Sequence, residues 1–159
     1  MSATNPSTNH DQVDPRGPRF GATITSVLLL VAIFFSLIGE QLVATVFAIA
    51  IALLFAWGAI FGVKRHPWGL LFQSLIRPRL AAPSELEDAA PPRFAQLIGL
   101  IVVGIGLLLQ LFGIPVGLLI ALIAAFIAAG LNASVGFCLG CEIYLLLARA
   151  GLIRRNATT

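Results

Sequence analysis

Four apolar runs, joined in two pairs by very short turns, constrain this chain more than any other feature. They cover residues 20–38, 42–63, 94–112 and about 116–135. Each approaches the roughly 20 residues that cross a hydrocarbon core as a helix. Gly39, Glu40 and Gln41 separate the first pair, and Gly113, Ile114 and Pro115 separate the second. Connections this short force each pair into an antiparallel hairpin. In lipid every backbone polar group must be satisfied within the protein, so runs of this length are read as helices. The composition agrees: 58% of residues are hydrophobic and 11% charged, against about 45–50% and about 25% in soluble domains. The expected fold is all-α, an integral membrane four-helix bundle made of two helical hairpins with the lipid bilayer as its solvent. The chain has room for one such bundle and none for a further soluble enzyme domain.

The polar remainder sets the orientation. Residues 1–14 are rich in Ser, Thr, Asn and Asp and read as a disordered tail. The expected domain limits are a tail at 1–19, a membrane domain at 20–152 and a C-terminal tail at 153–159. No charged n-region leads into a short apolar core with a small-residue cleavage site, so the first run is read as an anchor and not a signal peptide. Within the middle segment, residues 68–76 are apolar but too short to cross. Trp68 at one end and Arg77 at the other mark them as an interfacial helix. Ser84 and Glu87 have capping-box spacing and would open a short acidic turn, ended by Pro91 and Pro92. The fourth run stays apolar almost to Arg149. Gly130, Asn132 and Gly136 mark where it should leave the membrane, with residues 142–152 then lying along the surface. All ten Lys and Arg fall in the tail, the middle segment and the C-terminal segment. Four crossings put those three on one side, and the positive-inside bias makes it the cytoplasm. A fifth crossing would carry Arg154 and Arg155 outside. The basic residues are juxtamembrane and build no basic face, so nucleic acid is not an expected partner.

The two halves resemble each other. Pro18-Arg19-Phe20 opens the first hairpin and Pro92-Arg93-Phe94 the second. That register lays Gly62 on Gly136 and residues 68–76 on 142–150, which suggests a parallel repeat. Glycines also recur four apart at Gly58 and Gly62, Gly113 and Gly117, and Gly136 and Gly140. Such spacing favours close helix approach within the bundle over a dimer interface.

One feature carries chemistry. The only two cysteines form the motif Cys138-Leu139-Gly140-Cys141, followed by Glu142. Positions three apart share a helix face, and a helix N-terminus favours a thiolate. Cys138 is therefore the expected attacking thiol, Cys141 the resolving one and Glu142 a proton acceptor. The alternative is a pair of inert thiols that fill space between helices. Two thiolates are also half of a zinc site, for which His66 in the matching elbow would be a third ligand and His10 a poor fourth. Gln96, Gln110, Asn132 and Ser134 lie in or near the spans. Gln96 and Asn132 fall at similar depth and are expected to hydrogen-bond across helices. No ionisable residue is expected mid-span, which argues against an ion-coupled transporter. Arg19 and Arg93 begin spans and are placed to snorkel. No nucleophile triad, phosphate loop or carboxylate pair is present, and nothing suggests a nicotinamide or flavin cofactor.

Several stretches together resemble a known family: Asp14-Pro15-Arg16, Pro67-Trp68-Gly69, Leu71-Phe72-Gln73, Arg77-Pro78, residues 85–88, Pro92-Arg93-Phe94-Ala95-Gln96, Asn132, and Gly136 through Glu142. The chain resembles the bacterial membrane family catalogued as domain of unknown function 4395 over nearly all of its length after the tail. That resemblance implies a small multi-pass membrane protein and supplies no established activity. It also implies an association with thioredoxin-like or sulfurtransferase proteins, which favours a thiol-disulfide or sulfur-relay role for Cys138 and Cys141. The competing expectations are a non-catalytic membrane scaffold and, last, a small-solute transporter.

Overall fold

A computed structural model describes residues 12–83 and 85–152. Four long helices form the bundle: α1 (Arg16–Leu37), α2 (Gln41–Phe61), α4 (Ala90–Leu111) and α5 (Pro115–Val135). All four are long and apolar enough to cross a membrane. Two shorter helices, α3 (Pro67–Leu71) and α6 (Leu139–Arg149), follow the two hairpins. A π-helical turn at Phe72–Ile76 and a 3-10 turn at Arg77–Arg79 prolong α3. At 11 residues, α6 reaches roughly half the length a span requires. The fourth apolar run is thus a span and a separate helix, and it breaks at Gly136. That residue has φ of 73°, a left-handed conformation open to glycine, and Gly62 does the same at φ 82° after α2.

The register that lays Pro18 on Pro92 also lays α1 on α4 and α2 on α5, matching at both ends of both helices. The core follows it. Leu29 in α1 corresponds to Val103 in α4, and Ala44 and Ala48 in α2 to Leu118 and Leu122 in α5, all with no exposed surface. Small side chains in one half stand where large ones stand in the other. The helices are arranged in a ring: α1 against α2 and α5, and α4 against α2 and α5. Each second helix therefore packs on the first helix of both halves. Outside this core the spans are apolar on their outer surface, as at Phe34, Leu53 and Ile127, each more than half exposed. Lipid, as apolar as these side chains, is the solvent that accepts such a surface.

Several boundaries differ from the sequence reading. Secondary structure is present before residue 20: Gln12–Val13 is a strand, β1, paired antiparallel with β2 (Glu87–Asp88), and α1 starts at Arg16. Asp14 anchors this start, accepting from the backbone N–H of Arg16 at 3.0 Å and from its Nε at 3.1 Å. Glu87 and Asp88 belong to β2 and not to a helical turn, and Ser84 lies outside the described residues. Pro91 and Pro92 do not end an element. They sit in the first turn of α4, where a missing N–H costs no helix bond. His10, Arg154 and Arg155 also lie outside the described residues.

Candidate functional site

The elbow after α5 is short. Gly136 turns the chain, Phe137 follows, and Cys138 is already the N-cap of α6. Cys138 is extended (φ −89°, ψ 98°), which turns its sulfur back over the helix start. Its Sγ accepts from the Cys141 N–H at 3.3 Å, and its carbonyl accepts from the Glu142 N–H at 3.0 Å. Cysteine thus does the work usually done by serine or aspartate at this position. Cys138 and Cys141 are joined in a disulfide, with Cα atoms 5.1 Å apart. Both are half-buried, and Glu142 is exposed in the first turn of α6. Cys138 Sγ sits at the N-terminal end of α6, the end of a helix at which negative charge is favoured.

Gly140 explains the spacer. A Cβ there would stand 2.6 Å from the Ala95 Cα in α4, so only glycine lets α6 lie this close. Tyr144 completes the contact, its ring 5.6 Å from that of Phe94. The first half uses the same device: Phe20 in α1 meets Phe72 at 5.9 Å. In each Pro-Arg-Phe motif the Phe therefore holds the surface helix of its own half.

The Arg of each motif reaches into the other half. Arg93 donates from Nε to the Ala59 carbonyl at 2.7 Å and from Nη2 to the Ile60 carbonyl at 2.8 Å. Arg19 donates to the Ser134 carbonyl at 3.5 Å and packs on Gly136. Both cations thus cap the C-terminal end of the opposite second helix, where carbonyls lack partners and the dipole favours positive charge. These bonds to helix carbonyls are no part of the snorkelling expected of the two arginines.

Beneath α6 lies a cavity of about 220 Å³. Cys138 and Gly140 are at its rim, and its walls come from all four spans, with alanines from α5 and Phe55 from α2. Three polar side chains interrupt this apolar lining: Thr25, Gln96 and Asn132. Gln96 and Asn132 share the cavity without the hydrogen bond expected between them, and Gln96 Oε1 is buried with no partner. The cross-helix amide pair is instead Gln110 with Gln41, at 3.5 Å. Thr25 carried no signal in the sequence, since one threonine in an apolar run is ordinary.

The elbow of the first half holds a further cavity, about 340 Å³, bordered by Asp14, His66 and Trp68. His66 is the N-cap of α3. Its Nδ1 accepts from the Trp68 N–H at 3.3 Å, and its Nε2 is 3.1 Å from the Leu54 carbonyl, to which it donates. Both nitrogens are therefore occupied, and His66 does not join the cysteines in a zinc site. Among the described residues no three His, Cys, Asp or Glu converge on a metal. Burial pushes the His66 pKa below its ordinary 6.5, only partly offset by the bond to Leu54.

Residues 13–149 match the model of the family described as domain of unknown function (DUF4395). The chain belongs to that family. The match runs from β1 to the end of α6, so the family unit includes the elbow with the disulfide as well as the four spans. No curated protein and no solved structure matches the chain.

Proposed function

We propose that this protein is a thiol-disulfide or sulfur-relay component of a bacterial plasma (inner) membrane, with both termini and the α6 elbow on the cytoplasmic side. The observation that carries the reading is the Cys138–Cys141 pair itself: bonded to each other, half-buried, and seated at the first turn of a helix at the boundary of the spans. Cytoplasmic thiols are kept reduced, so a disulfide there is a transient, working one. The orientation rests on charge, since every Lys and Arg falls in the N-terminal, middle or C-terminal segment and none in the two short turns.

In the reduced form the Cys138 thiolate attacks a partner disulfide, forming a mixed disulfide and releasing one partner thiolate. Cys141 then attacks Cys138 Sγ, closes the internal disulfide and releases the second partner thiolate. Glu142, next in the chain and exposed, takes the Cys141 proton. A relay of sulfane sulfur would begin instead with attack of the Cys138 thiolate on the outer sulfur of a partner persulfide, which releases the partner thiolate and leaves the sulfur as a persulfide on Cys138. The partner is a soluble thioredoxin-like or sulfurtransferase protein, because the pair sits at the start of α6, outside the four spans.

Labelling with a membrane-impermeant maleimide tests both parts. Labelling should occur in inside-out vesicles and not in intact cells, and should rise on prior reduction. Labelling from outside the cell would overturn the orientation. Protection on both sides after reduction would reduce the cysteines to packing residues.

A further inference from the structure

The cavity under α6 has four properties that bear on one ligand. It lies between the four spans and α6, within reach of a ligand carried in the lipid phase. Its volume of about 220 Å³ is under the roughly 300–1,000 Å³ of drug-sized sites, which suits one ring and not a phospholipid. Its polar groups suit a ligand: Gln96 Oε1 is buried without a partner, and Thr25 and Asn132 line the same cavity. Unsatisfied amides at such depth are costly unless something with oxygens or hydroxyls pairs with them. Finally, Cys138 is at the rim, and its disulfide with Cys141 is a two-electron, two-proton couple.

We infer that this cavity binds the ring of a lipid-soluble quinone and that the Cys138–Cys141 dithiol exchanges two electrons with it. In the oxidising direction both S–H bonds break and the S–S bond forms. The two electrons and two protons pass to the quinone, whose carbonyl oxygens become the hydroxyls of a quinol. Donors on Asn132 and Thr25 hold the carbonyls of the quinone, and Gln96 Oε1 accepts from a hydroxyl of the quinol. The inference rests on the thiol-disulfide reading run in the reverse direction: a thiolate of a reduced soluble partner attacks the Cys138–Cys141 disulfide, the partner's second thiol resolves the mixed disulfide, and the two electrons that reach the dithiol leave to the quinone.

The test uses the intact protein in liposomes with decylubiquinone, whose fully substituted ring resists addition by thiols. The protein is reduced, freed of reductant and mixed with the quinone; disulfide and quinol are then measured together. One quinol should appear for each disulfide regained. Ala128→Phe, which fills the cavity from α5, should slow this by about tenfold or more, the loss that overpacking a site brings. Should that variant misfold, Thr25→Val removes a donor at almost constant volume and should also slow the reaction. A pair that exchanges with a glutathione buffer but yields no quinol overturns the quinone and leaves the thiol reading standing. A pair inert to glutathione sinks both. Quinol formation at full rate in both variants places the quinone elsewhere, and a co-purified lipid that quinone cannot displace gives the cavity to lipid.

Discussion

His66 shows how one residue serves the fold by staying neutral. Its Nδ1 caps α3 and its Nε2 holds the Leu54 carbonyl, so a second ring proton would cost it the cap. Burial lowers its folded pKa below 6.5. Between the two values the unfolded elbow binds a proton that the folded one refuses. The contribution is therefore complete above pH 6.5, declines as pH falls below it, and levels off once the folded value is passed. Asp14, Lys64 and Arg77 border the same cavity, so the comparison needs a variant. Hydrogen exchange of α3 should quicken as pH drops through this window once intrinsic rates are removed. His66→Asn, which keeps a capping oxygen, should flatten that dependence, whereas His66→Ala should cost about 1 kcal/mol above pH 6.5 and less below it. An unchanged pH profile in His66→Asn would assign the effect to another group. That a histidine lay at this elbow was plain from the sequence. Its bond to Leu54, twelve residues back, was not, so the residue types alone left an interfacial role and a third zinc ligand side by side.

At the scale of elements, α6 is set by one missing side chain. In an ordinary helix, replacing glycine by alanine gains roughly 0.5–1 kcal/mol. At Gly140 the sign should reverse, because the new Cβ meets the Ala95 backbone at 2.6 Å. Gly140→Ala should cost about 1–3 kcal/mol and expose 139–149 to proteolysis, while the disulfide, local to one turn, survives. A gain in stability would show that α6 is free to move off α4. The Cys-x-x-Cys spacing and a helix near it were legible from residue types alone. The start at Leu139 instead of 142, and the close approach to α4, depend on a neighbour more than forty residues away and left no local signal.

For the whole molecule, the exchange of arginines ties the two hairpins together. Arg93 makes two short bonds across the halves and Arg19 one long one. Bonds to a charged donor contribute about 1.5–3 kcal/mol when sheltered and less when exposed, as these are. Arg93→Ala should therefore cost about 1 kcal/mol, and Arg19→Ala measurably less, in thermal melts of the bilayer-embedded protein. Equal losses, or the reverse order, would contradict the unequal geometry. By itself the sequence determined the class, the four spans, the hairpins and the repeat, because each follows from the length of apolar runs, the shortness of turns and one recurring motif. Tertiary structure alone decided what the motifs touch: Phe on its own half's surface helix, Arg on the other half's carbonyls, and the cysteines over a cavity walled by four helices. The physical reason is that lipid drives each helix to form separately but gives no hydrophobic preference for one neighbour over another. Partner choice is left to shape and to stray polar groups, which are read only in three dimensions.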